Sequence, residues 1–188
     1  MRDNISGRPR GIQHLLTYTT AITIALAASG CHVNGPQDSS STAHSVGVEA
    51  LKSLPSLEET QAALQAAIDQ TTSAVSSIVP GITWSTGTNG STVECDRPYT
   101  DSAARSVFLP NRIGENAAIS EQQWAAIQDA AKAAAASMQA TEIQVMQDSP
   151  GNHDVGFYGP TGLFLKVAYR KALVVAGNTG CRLPHEHS

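Results

Sequence analysis

Aromatic residues make up only 5% of this 188-residue chain, so any core has to be assembled from alanine and small aliphatic side chains. No apolar run reaches the roughly 20 residues that a helix needs to cross a bilayer. The candidate, Leu15 to Ser29, is shorter and carries several threonines, which excludes a stable span. Clustered positive charge is missing too: the formal net charge is −4, and nucleic acid as a partner would need basic groups gathered against phosphates. There are three cysteines, and their spacing fits no zinc motif, which would need further Cys or His ligands nearby. No Gly-x-Ser-x-Gly elbow is present, which removes the usual signature of a serine hydrolase.

What is present begins with the leader. Arg2, Arg8 and Arg10, opposed only by Asp3, precede the apolar stretch, the arrangement of a secretory signal peptide over residues 1–30. Its end, Ala28-Ser29-Gly30-Cys31, resembles the lipobox in which small residues precede a cysteine that receives a diacylglyceryl group before cleavage. Ala28 stands where a leucine is usual, with Leu26 two positions further back. On this reading Cys31 is the lipidated first residue of the mature protein; the alternative is an ordinary signal peptide with a chance cysteine. The leader holds three of the twelve basic and one of the sixteen acidic residues, so the remainder carries a formal charge of −6. With Cys31 assigned to lipid, Cys95 and Cys181 are an even pair in a disulfide-permissive compartment and are expected to be bonded, two buried thiols being the alternative.

Residues 31–53 continue after Cys31 as "HVNGPQDSSSTAHSVG", rich in Gly, Pro, Ser and Thr and without a hydrophobic period, and read as a tether. A single domain is expected over 54–188. Leu57, Leu64, Ile68, Val75 and Val79 fall on one face of a helix that Pro80-Gly81 ends. "ITWS", "TGTNGS" and "TVEC" suggest a hairpin with an Asn-Gly turn. Asp96 to Ile119, punctuated by Pro98, Pro110 and Gly114, reads as a long loop. Ser120 and Gln123 fit a capping box ahead of a second helix carrying Trp124, Ile127, Ala131, Ala134 and Met138 on one face. The period then changes to alternation, with strands at "TEIQVMQD", "HDVGFYG", "LFLKVAYR" and "ALVVAG". The fold class expected is α+β: an antiparallel meander of about four to six strands, covered on one face by two helices and stapled by one disulfide.

Residues that carry chemistry are few and scattered. His185-Glu186-His187 has metal-binding side chains but sits at the terminus, and alternate residues there make a weak chelate. Asp148, Asn152 and Asp154 offer oxygen ligands without EF-hand spacing, and a hairpin turn explains them better. Asn89-Gly90-Ser91 matches a glycosylation sequon that the Asn-Gly turn also accounts for. Lys166, Arg170 and Lys171 suggest either a basic patch at a strand end or a sheet edge protected by charge. Glu94, Asp96 and Asp101 are the nearest cluster of carboxylates, and His153 is the histidine to test beside them. No catalytic residue, metal site or cofactor is expected.

The segments "DVGFYGPTG", "ALVVAGNTGCRLP" and "ECDRPY", together with the lipobox leader, resemble the LppA/LppV-like lipoproteins of pathogenic mycobacteria, most strongly from about Trp124 onward. The resemblance implies an exported, lipid-anchored envelope protein on the outer face of the cytoplasmic membrane, whose biochemical role is not established. The expected function is a non-enzymatic module that binds an envelope component or partner protein. Its alternatives are an envelope hydrolase, or a lipid or glycolipid carrier with an internal cavity.

Overall fold

The computed structural model of the protein describes residues 47–187. The leader, Cys31 and the tether up to residue 46 lie outside the described residues. A short helix over 47–52 opens the described chain and buries Leu51, so ordered structure begins ahead of Leu54, inside the stretch expected to be tether. Helix α1 (Leu57–Ile78) follows, then strands β1 (Thr83–Thr86), β2 (Ser91–Glu94) and β3 (Arg105–Glu115), and helix α2 (Glu121–Ala136). Four strands complete the domain: β4 (Glu142–Ser149), β5 (Asn152–Tyr158), β6 (Leu163–Tyr169) and β7 (Leu173–Thr179).

Both helices start on reciprocal caps. The Ser56 hydroxyl accepts from the Glu59 N–H, and the Ser56 N–H donates to the Glu59 carboxylate at 2.8 Å. Ser120 and Gln123 make the same exchange at α2. Two donors that no helix turn can satisfy are paired at each end. Gln123 also donates to the carbonyl of Ile78 at 3.0 Å, tying the start of α2 to the end of α1.

The seven strands form one antiparallel sheet. β4 to β7 are the expected meander, and β7 pairs with β3. Both helices lie on one face of the sheet, where Leu64, Ile68 and Val75 of α1 and Ile127, Ala131 and Ala134 of α2 meet Val155, Phe157, Leu165, Val167, Leu173 and Val175. Alanines let α2 lie close to the strands. Leu64 reaches the backbone of β7 itself: a Cβ on Gly177 would stand 2.8 Å from a Leu64 methyl. Among the described residues the layer between helices and sheet is packed with these side chains.

Two local expectations fail for one reason. The Asp96 to Ile119 stretch is not a long loop, because it contains β3, an 11-residue strand on which the sheet turns back. β1 and β2 do not form a hairpin with each other; each pairs antiparallel with β3, one with its C-terminal half and the other with its N-terminal half. They are two pieces of one edge strand, interrupted opposite Pro110, whose ring nitrogen carries no hydrogen for a ladder. Asn89 and Gly90 serve this break. The Asn89 side chain accepts from the Asn111 N–H at 3.0 Å, and Gly90 lies so close to the Pro110 ring that a Cβ would stand 2.8 Å from it. A register shift between Leu109 and Arg112 against β7 marks the same irregularity.

Cys95 and Cys181 are bonded, with Cα atoms 5.9 Å apart. The bond joins the residue after β2 to the chain just past β7, across the start of β3, where Arg105 and Arg182 exchange backbone hydrogen bonds. Around it Leu51, Ala104 and Leu183 form a second, smaller apolar cluster.

Candidate functional site: the uncovered face of the sheet

Alternation along the strands sends every second side chain away from the helices. One cross-strand row on that uncovered face runs Ser91, Phe108, Asn178, Phe164, Tyr158 and Glu142, each residue in register with the next. Phe108 and Phe164 flank Asn178 and lean together, their ring centroids 6.3 Å apart and edge to face. Tyr158 continues the row, 5.7 Å from Phe164. Its ring lies down over Gly156, where a Cβ would stand 2.5 Å from the ring carbon Cε2, so glycine at 156 is what lets the ring fold onto the sheet. Phe108 remains 38% exposed and neighbouring Val93 41%, so this row is an apolar patch open to solvent.

Polar groups complete the face. The Asn178 carbonyl oxygen accepts from the Ser106 hydroxyl and from the Gly180 N–H, at 2.9 and 2.7 Å, which fixes the amide's orientation. Its Nδ2 is then buried without an acceptor, as is Asp154 Oδ1 without a donor. The other oxygen of Asp154 pairs with Lys166 Nζ at 2.8 Å, both side chains about one-third exposed or less.

The residues singled out from sequence are placed as follows. Lys166 stands in mid-sheet on β6, an interior strand, while Arg170 and Lys171 occupy the β6–β7 turn, so the three form neither a basic patch nor a protected sheet edge. Asp148 and Asp154 leave the β4–β5 hairpin on opposite faces, Asp148 toward His153 and Asp154 toward Lys166. His153 is buried and stacked on Trp124, with Nδ1 3.1 Å from Asp148 and Nε2 3.2 Å from Glu121. With both ring nitrogens occupied, it locks the start of α2 to the hairpin. His185 to His187 form a 3-10 turn whose first N–H donates to Glu58 at 2.9 Å. Among the described residues no three His, Cys, Asp or Glu side chains converge as metal ligands.

Two smaller features lie away from the sheet face. Glu94 and Asp101 line a polar cleft of about 220 Å³ beside the disulfide, together with Tyr99, Ser102 and Arg105, and Glu94 pairs with Arg105 at 3.5 Å. Asp96 is not among its lining residues. Arg182 is buried with no carboxylate partner among the described residues, and donates to Thr60, Thr161 and the carbonyls of Pro160 and Cys181. Burial pushes its guanidinium pKa below the usual arginine value.

A family model of lipoproteins confined to pathogenic Mycobacterium, LppA, matches residues 33–185. The chain belongs to the LppA family. The crystal structure of lipoprotein LppA from Mycobacterium tuberculosis superposes with a TM-score of 0.62 at 18% identity, covering 78% of this chain and 90% of that one. Comparison with curated proteins gives no match. At that identity the structural likeness speaks for the fold alone, and no site residue passes from it to this LppA-family chain.

The aromatic row escaped the sequence reading for a physical reason. Phe108 lies in the strand mistaken for loop, and without β3 in the sheet nothing aligns it with Phe164. A usable signal was present: in "RSVFLPNRIGE", Val107 and Leu109 alternate with Ser106 and Phe108.

Proposed function

We propose that this chain is a lipoprotein anchored through a diacylglyceryl group on Cys31, displayed on the outer face of the cytoplasmic membrane, and that it acts by binding an envelope component and not by catalysis. Membership of a lipoprotein family and the sequence around Ala28 to Cys31 support the anchoring. The binding reading is carried by one observation: the Phe108–Phe164–Tyr158 row lies on the sheet face that the helices leave uncovered, where it serves no core. Glu59, His153 and Lys166 are engaged in a cap, a lock and an ion pair, which leaves them poorly disposed to move a proton for a substrate.

Two experiments test this. Replacing Cys31 with alanine should move the protein from the detergent phase to the aqueous phase of a membrane extract; unchanged partition refutes the anchor. Full-length protein incubated with fractionated envelope should retain one component saturably, and Phe108→Ala with Phe164→Ala should reduce retention at least tenfold while the fold persists. Retention indifferent to both substitutions removes the open face from the reading.

The cleft that holds Glu94 and Asp101 favours a second reading, an envelope hydrolase. Turnover of an ester, peptide or glycoside substrate that Glu94→Gln or Asp101→Asn abolishes would establish it in place of binding.

A further inference from the structure

The two edges of the sheet are built differently. The β1/β2 edge is broken into two four-residue pieces by the insertion opposite Pro110. The other edge is β4, eight residues long, bulged between Val145 and Gln147 and paired, among the described residues, only with β5. Proteins ordinarily blunt such an edge with charge, proline, a bulge or a covering element, and here the bulge leaves the stretch from Glu142 to Val145 in unbroken register. Here Ile143, Val145 and Met146 are exposed by 41, 56 and 44%, three of the five large hydrophobic side chains that the described residues leave exposed. They sit along the backbone groups that an incoming strand would pair with.

Register explains how such a strand would be read. Ile143 is opposite Phe157 and Val145 opposite Val155, so both project on the helix side of the sheet and carry the apolar layer of the core out to its rim. α2 packs on β5 and β6, and at β4 that layer meets solvent. A strand added to β4 would satisfy the backbone edge and place its own alternate side chains beside Ile143 and Val145. The flanks are acidic, with Glu142 at one end and Asp148 at the other. The bulge between Val145 and Gln147 sends these two to opposite faces, Glu142 to the open face beside Tyr158 and Asp148 to the helix side beside His153, so each face of the edge carries one carboxylate. The edge therefore suits a partner whose charges are opposite.

We infer that β4 accepts, by strand addition, an extended segment of a partner polypeptide that carries alternate apolar residues between lysines or arginines. This surface is separate from the aromatic face, and its failure leaves that reading untouched. The probe is a fluorescent peptide of alternating valine and threonine flanked by lysine pairs, titrated against the full-length protein in detergent and followed by anisotropy. Saturable micromolar binding is expected. It should weaken at least tenfold with Val145→Lys, whose thermal midpoint should match the wild type because the side chain is exposed. It should weaken equally when glutamates replace the flanking lysines, and disappear when alternate peptide amides that face β4 are N-methylated. No saturable binding, or binding indifferent to N-methylation, overturns the inference. So does a concentration-dependent dimer that Val145→Lys abolishes, since the occupant would then be a second copy of the chain.

Discussion

Phe157 and Tyr158 are chain neighbours, as are Leu165 and Phe164, yet each pair is divided between two environments. Phe157 and Leu165 are fully buried beneath the helices, while Tyr158 and Phe164 lie half-buried on the opposite face. The covered face is close-packed apolar carbon with backbone glycine tucked against Leu64. The open face combines an aromatic row, an ion pair and two polar atoms without partners. The same strands thus serve stability with one set of residues and present chemistry with the other, and the sheet's period of two keeps the sets apart.

The widest expected gap lies between Phe157→Ala and Phe164→Ala. The first empties the core and should cost about 3–5 kcal/mol. The second removes one partly exposed ring and its aromatic contacts, about 1 kcal/mol. Urea unfolding of both variants measures the difference. Equal losses would mean that the open face is a second core and would break the comparison.

The bond between Cys95 and Cys181 belongs to neither face. It closes a sequence separation of 86 residues, and a double alanine variant should lose about 2–4 kcal/mol, mainly by freeing the unfolded chain. Intact mass should rise by two hydrogens on reduction of a soluble form lacking Cys31. Retention of the envelope component should survive the double substitution at temperatures where the variant stays folded, because the aromatic row lies on strands paired independently of the bond.

Much of this architecture was legible before the structure. The two helices announced themselves by caps and apolar period, β4 to β7 by alternation, and the disulfide by parity once Cys31 was set aside. β3 was not legible, because Pro110 and Gly114 within it look like loop punctuation. Each has a tertiary explanation: Pro110 faces the break in the edge strand, and Gly114 leaves room for Ile82 and Trp84, whose side chains a Cβ would meet at 2.5 and 3.2 Å. The Asn-Gly pair misled for a similar reason, since the turn chemistry was real but served a break in one strand and not a reversal between two. The site depended on β3, so it was hidden with it.

Two glycines sharpen the comparison at smaller scale. Gly177→Ala would push a methyl into Leu64 on the covered face and should cost about 1–3 kcal/mol by overpacking. Gly156→Ala on the open face meets the Tyr158 ring first, which can lift into solvent, so stability should stay within about 0.5 kcal/mol, as for surface substitutions. Near-ultraviolet circular dichroism should nonetheless change as the ring leaves the sheet, and retention of the envelope component should fall. An unaltered tyrosine signal would show that the ring's position does not depend on Gly156.

The smallest effect concerns the cover itself. The Ser56 N–H, and then the Ser56 side chain, hold the Glu59 carboxyl below the ordinary glutamate value of 4.5, so its charged form is favoured in the folded protein. A depressed folded value means that the unfolded chain binds the proton more readily. The stabilisation is therefore complete above pH 4.5 and is lost as pH falls through the lower folded value. Glu59→Gln keeps an acceptor for the Ser56 N–H but removes the titration. Urea unfolding from pH 3 to pH 7 should then give the variant a shallower decline in stability below pH ~4.5 than the wild type, with the wild type the more stable at neutrality and the two converging toward pH 3. Hydrogen exchange should place that difference in the first turn of α1, where the cap acts, and leave the amides of β5 and β6 unchanged. Identical acid limbs would show that the cap does not hold the cover, and that α1 is kept on the sheet by Leu64, Ile68 and Val75 alone.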